Sequence, residues 1–117
     1  MNLEEIRQFC LSLTGATEDV KWENDLTFCV GGKMFAVTGL ESGAQGVSFK
    51  CTPEKFAELT EREGIRPAHY VARYHWVTIE DLNAVNSDEL KNLIINSYNM
   101  VRHKLPKKLQ NELSENK

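Results

Sequence analysis

Apolar residues in the opening segment recur at helical spacing. Leu3, Ile6, Phe9, Cys10 and Leu13 fall on one face of a 3.6-residue repeat. Glu4 and Glu5 occupy the first turn, where the helix dipole favours acids, with Asn2 placed to cap and Gly15 to stop. From about Val20 to Cys51 the period changes to two. Leu26, Phe28 and Val30 alternate with Thr27 and Cys29, and Gly31-Gly32 then offers the positive φ angles of a two-residue hairpin. The return strand, Lys33 to Gly39, is apolar on both faces, Phe35 and Val37 on one and Met34 and Ala36 on the other. Such a strand is expected at the centre of a sheet. After a polar turn at 41–46, Val47, Phe49 and Cys51 alternate with Ser48 and Lys50, completing a meander of three strands, or four if residues 20–22 pair at the edge.

Thr52-Pro53-Glu54 marks a helix start, because threonine caps, proline suits the first helical position and glutamate complements the dipole. Phe56, Ala57 and Leu59 give that helix an apolar side, and Gly64 ends it. Residues 65–72 read as irregular, broken by Pro67. Tyr74, Trp76 and Thr78 alternate with His75, Val77 and Ile79 as a further strand. Ser87-Asp88-Glu89 opens the longest helix, whose stripe is Leu90, Leu93, Ile94, Tyr98, Val101 and Leu105 up to Pro106. Residues 1–117 are expected to form one domain, with 107–117 a polar, partly frayed tail in which Leu109 and Leu113 allow one more short helix. The order α-β-β-β-α-β-α predicts an α+β fold, an antiparallel sheet of four to five strands with helices packed around it. Tight turns between the early strands disfavour a doubly wound nucleotide fold, which needs crossover helices.

Composition narrows the class. At 117 residues, 41% hydrophobic and 26% charged, the chain has the make-up of an ordinary globular domain rather than a disordered one. No apolar run approaches the roughly 20 residues of a membrane span, and the N-terminal segment has neither the basic region nor the apolar core of a signal peptide, so a cytoplasmic protein is expected. Cys10, Cys29 and Cys51 are too far apart for a zinc or dithiol motif and are expected to be reduced and buried. Net charge is −3, unevenly spread. Residues 1–63 hold 6 basic and 11 acidic side chains, residues 64–117 hold 8 and 6.

Gly31-Gly32-Lys33 lacks the earlier glycine and following hydroxyl of a phosphate loop, since Thr27 and Met34 stand there, and it reads as a hairpin turn. His69, His75 and His103 have no ligand partners at metal spacing. Cys51 or Ser97 could pair with a histidine as nucleophile and base, but nothing local activates either. Ser97 is expected to hydrogen-bond the carbonyl of the preceding helical turn. Neither catalysis, a metal nor a cofactor is expected. Lys33 shares strand parity with Phe35 and Val37 and is expected at the hairpin mouth with its stem snorkelling, whereas Lys50 points away from Val47, Phe49 and Cys51. Arg102, His103, Lys104, Lys107 and Lys108 form the one concentrated basic patch. Tyr70, Tyr74 and Trp76, interleaved with Arg73 and His75, read either as a stacking strip for bases or as an aromatic strand buried against the last helix.

Several segments in order resemble the MmcQ/YjbR family of small bacterial proteins over nearly the whole chain. They are Leu13-Thr14-Gly15-Ala16-Thr17-Glu18, Phe28-Cys29-Val30-Gly31-Gly32-Lys33-Met34-Phe35-Ala36, Val47-Ser48-Phe49-Lys50-Cys51-Thr52-Pro53, Pro67-Ala68-His69-Tyr70, Trp76-Val77, Ser97-Tyr98 and Lys104-Leu105-Pro106. The resemblance implies a CyaY-like α+β fold and a DNA-binding role through a "double-wing" arrangement of hairpins. Lys33, Lys50, Arg73, Arg102, Lys104, Lys107 and Lys108 would then meet phosphates, with Tyr74 and Trp76 at bases. Glu18, Asp19, Glu23 and Asp25 beside the first hairpin work against such a wing. The alternative expectation is a small-molecule or protein-binding module with an aromatic pocket near Trp76 and Tyr70.

Overall fold

A computed structural model describes residues 1–21, 25–39, 46–68 and 74–115. Helix α1 (Leu3–Ser12) leads into strands β1 (Ala16–Lys21), β2 (Asp25–Val30), β3 (Lys33–Gly39) and β4 (Val47–Lys50). Helix α2 (Pro53–Leu59), strands β5 (Ile65–Pro67) and β6 (Trp76–Ile79), and helices α3 (Ser87–His103) and α4 (Lys107–Glu115) follow. The strands form a single sheet in the order β1-β2-β3-β4-β6-β5, every neighbouring pair antiparallel. This is the expected α+β class with a six-stranded sheet rather than four or five strands. No helix among the described residues is long and apolar enough to cross a membrane.

Local chemistry sets the element boundaries. Asn2 and Glu5 exchange side-chain-to-backbone hydrogen bonds in a capping box, at 2.8 and 3.0 Å. Thr52 accepts from the Lys55 N–H ahead of Pro53, and Asn86 rather than Ser87 caps α3 by accepting from the Glu89 N–H. The two extra strands lie at the sheet edges. β1 pairs with β2 from Ala16 onwards, earlier than the edge strand expected at 20–22, of which Trp22 lies outside the described residues. β5 occupies part of the stretch read as irregular, and its edge position leaves Pro67 without a ladder bond to break. At the other end of that stretch, His75 takes φ +65° after a 3-10 turn at Tyr74, so β6 starts only at Trp76.

Phe28, Val30, Ala36, Val47, Phe49, Val77 and Ile79 meet Ile6 and Cys10 of α1 and Leu90, Leu93, Ile94 and Tyr98 of α3 in the core. Strict alternation in β3 fails at one point. Phe28 pairs with Ala36 and Cys29 with Met34, which leaves Phe35 as the extra residue of a bulge. Phe35 and Ala36 are consequently both buried, and Phe35 meets the Tyr98 ring edge-on at 5.4 Å. The expected grouping of Phe35 with Val37, opposite Ala36, is corrected on this account.

Residues 107–115 form the short helix for which Leu109 and Leu113 provide, and those leucines are seated on glycines. Gly31 (φ +58°) lies where a side chain would meet Leu105 and Leu109, and Gly15 (φ +74°) where it would meet Leu113. All three cysteines are free and buried. Burial pushes the Cys10 thiol up to about 12 and the Cys51 thiol up to about 11, so both stay protonated.

Candidate functional site

The end of the sheet near the first hairpin is opened by a single hydroxyl. Between β3 and β4 the ladder stops at the pair Ala36–Phe49. The next pair in register, Phe35 and Lys50, is bridged by Ser97 of α3 instead. Its buried Oγ donates to the Phe35 carbonyl at 2.6 Å and accepts from the Lys50 N–H at 3.0 Å. This corrects the expected bond to the preceding helical turn: the hydroxyl replaces a rung of the sheet and satisfies two backbone groups that the splayed strands would leave unpaired. β4 remains paired with β6 at this end, where Lys50 faces Trp76 across the strands.

Into the gap opens a groove of about 290 Å³. Its cations are Lys33 at the start of β3, Lys50 at the end of β4 and Lys104 at the C-terminal cap of α3; Met34, Trp76, Val101, Leu105 and Pro106 supply apolar walls. Two features of the turn place Lys33 there. The Gly31-Gly32 turn, with φ +58° and +79°, reverses the chain in two residues, and Leu105 and Leu109 press on Gly31 from outside. Lys50 and Lys104 are close enough to interact, and the Lys50 ammonium is held below its ordinary value by partial burial first and by the Lys104 charge second.

Several cations elsewhere are held in ion pairs. Arg7 bridges Glu4 and Glu18, Lys55 pairs with Glu58, Arg62 forks between Glu58 and Glu89, and Arg66 pairs with Glu80. None of the ion pairs among the described residues involves Lys33, Lys50 or Lys104. Three lysines thus line one concavity, and no carboxylate among the described residues is paired with them.

Of the residues singled out in the sequence, the fold brings Lys33, Lys50, Trp76 and Lys104 together in this groove. Lys107 and Lys108 are exposed in the first turn of α4, directly after Pro106. Arg102 lies over the ring of Tyr98 at 5.9 Å, and Tyr74 is exposed. Arg73, Tyr70 and His69 lie outside the described residues. Trp76 is only 6% exposed, so its indole forms a wall rather than a protruding wedge or stacking platform. The groove's apolar members Met34, Val101, Leu105 and Pro106 were not singled out as site residues. Their signal was present, since Val101 and Leu105 extend the helical stripe to the point where the lysines begin.

Other candidate groups are committed elsewhere. The Cys51 thiol and N–H both donate to the His75 carbonyl, at 3.3 and 2.9 Å, and Ser97 is occupied as described. Among the described residues no group of three or more His, Cys, Asp or Glu side chains is gathered to hold a metal.

The family model described as YjbR matches residues 11–100, and the chain belongs to that family. It is 27% identical over 109 residues to the "Uncharacterized protein YjbR" of Escherichia coli strain K12, covering 91% of this chain and 92% of that one. Among solved structures it is similar to a Deinococcus radiodurans protein described by the domain DUF419, with a TM-score of 0.86 and 27% identity over 97% of this chain and 88% of that one. A Pseudomonas syringae protein shares the fold at a TM-score of 0.71 and 22% identity, over 86% and 99% of the two chains.

Proposed function

We propose that this YjbR-family chain is a non-enzymatic binding module whose working surface is the three-lysine groove, and that it takes an anion there. The observation carrying this reading is the convergence of Lys33, Lys50 and Lys104 around an apolar wall, with every ion pair among the described residues formed elsewhere. A concave, largely apolar site with a few convergent polar groups suits a small ligand better than the convex backbone of a duplex. A net charge of −3 also favours a local site over a broad polyanion surface.

Thermal melting of the intact protein against phosphate, sulfate and small organic anions, at constant ionic strength, tests the reading. Binding to the folded state alone stabilises it by about 2.7 kcal/mol at a hundredfold excess over Kd. Replacing Lys50 and Lys104 together with methionine should abolish that response. If no anion raises the melting temperature beyond a matched chloride control, the groove is not an anion site.

A second reading, contact with DNA phosphates, is favoured by Lys107 and Lys108, which continue the basic run from Lys104 onto exposed positions. Neutralising about five phosphates gives a slope of log K against log salt near −4.5. A flat salt response in a gel-shift series removes this reading and leaves the small-anion one standing.

A further inference from the structure

We infer that the groove's ligand is a phosphate monoester of a small apolar alcohol, with its head among the three lysines and its body against Trp76, Val101 and Leu105. The inference rests on the anion-binding reading and narrows its ligand class on three grounds.

The first is charge. Three lysines line one concavity, and two of them, Lys50 and Lys104, are near enough to repel. A carboxylate or a phosphodiester brings one negative charge, while a phosphate monoester brings roughly −1.5 to −2 at neutral pH. The more charge the head carries, the more of the repulsion it relieves.

The second is the kind of cation. Each charged residue lining the groove is a lysine, whose compact ammonium on a flexible stem suits the separate oxygens of a tetrahedral head. The planar fork by which arginine grips a carboxylate is not among the lining groups. Lys33, Lys50 and Lys104 also arrive from three separate elements, a hairpin, a strand end and a helix end.

The third is the wall. Trp76, Val101 and Leu105 offer apolar surface that a bare inorganic anion would leave wet, and Trp76 is held in place by burial. The volume of about 290 Å³ lies at the small end of ligand sites, which limits the body to about one ring or a short chain.

The test uses the intact protein and four probes, followed by calorimetry and by tryptophan fluorescence: phenyl phosphate, inorganic phosphate, benzoate and phenol. Phenyl phosphate is expected to bind about tenfold more tightly than inorganic phosphate, from burial of one ring face. Benzoate should be weaker than phenyl phosphate, and phenol should not bind. Affinity for phenyl phosphate should also rise between pH 5 and pH 7, as the head loses its second proton near pH 6. The Lys104→Met variant, checked for folding by circular dichroism, should lose most of that pH-dependent gain. Equal affinities for phenyl and inorganic phosphate would overturn the role of the wall. Equal affinities for benzoate and phenyl phosphate, or no change between pH 5 and pH 7, would overturn the charge argument. Failure of phosphate, phenyl phosphate and benzoate alike would instead sink the anion-binding reading beneath the inference.

Discussion

The two ends of α3 carry opposite electrostatics. At its N-terminus Arg62 is forked between Glu58 of α2 and Glu89 of α3, at 2.8–2.9 Å, so one cation ties two helices through two carboxylates. The pairing holds both carboxyl groups below the ordinary carboxylate range, through hydrogen bonds from the guanidinium. At the C-terminus Lys104 faces Lys50 with no carboxylate paired to either among the described residues, and the Lys50 ammonium is depressed instead of stabilised. The helix dipole favours acids at the first end and bases at the second, so placement alone explains the sign of each cluster. It does not explain why one is neutralised and the other is not. A network that closes on itself serves the fold, while the cluster left open is the one on which the proposed anion site rests.

The largest expected effect comes from the residue between these two ends. Ser97→Ala removes the bridge between Phe35 and Lys50 and leaves a buried carbonyl and N–H without partners, a loss of about 2–4 kcal/mol in urea unfolding. A loss under about 1 kcal/mol would mean that β3 and β4 close the gap by pairing directly. Arg62→Met should cost about 1 kcal/mol, since partly exposed ion-pair networks contribute modestly. Lys104→Met should have the opposite sign, raising the stability of the unliganded protein by a few tenths of a kcal/mol as repulsion is relieved. If both substitutions destabilise, the contrast between the two ends fails.

Titration separates the ends further. The Glu58 and Glu89 carboxyls have folded values below their unfolded one. They therefore contribute stability above the ordinary carboxylate value of 4.5 that is lost as pH falls through the folded values. Acid unfolding curves for Arg62→Met should lack that component. Lys50 shares that sign in a higher pH window, but there the charged form is the one the fold disfavours. Its folded value lies below the ordinary 10.5, so between the two the unfolded state binds more protons and stability rises with pH. In side-chain NMR, Lys50 should titrate before the exposed lysines, and Lys104→Met should move it back upwards. An unchanged Lys50 titration in that variant would mean that burial alone depresses it.

The helices and the meander are legible because each rests on local signals: period-two alternation around Gly31-Gly32, the cap signals at Asn2 and Thr52, the Ser87-Asp88-Glu89 start, and the stripe from Leu90 to Leu105. β5 was hidden because three residues ending in proline carry no periodic signal, and the sheet supplies the pairing. The bulge at Phe35 was hidden because an apolar strand reads the same in either register. Lys33, Lys50, Trp76 and Lys104 were each visible as matches to a family pattern, yet their meeting was not. It depends on β4 leaving β3 while staying with β6, a consequence of sheet order rather than of chain order. Ser97 departs from expectation for a related reason. Local partners dominate expectation, whereas its actual partners lie 62 and 47 residues away.

The leucines that rest on Gly15 and Gly31 bear on how the molecule is assembled. Those two turns flank the first two strands, and the side chains that fill them come from the far end of the described chain. Contacts so distant in sequence form late, after the loop between them has closed. The turn that presents Lys33 is thus seated only once the chain has closed on Leu105 and Leu109, so the groove's shape draws on long-range assembly and not on the hairpin alone.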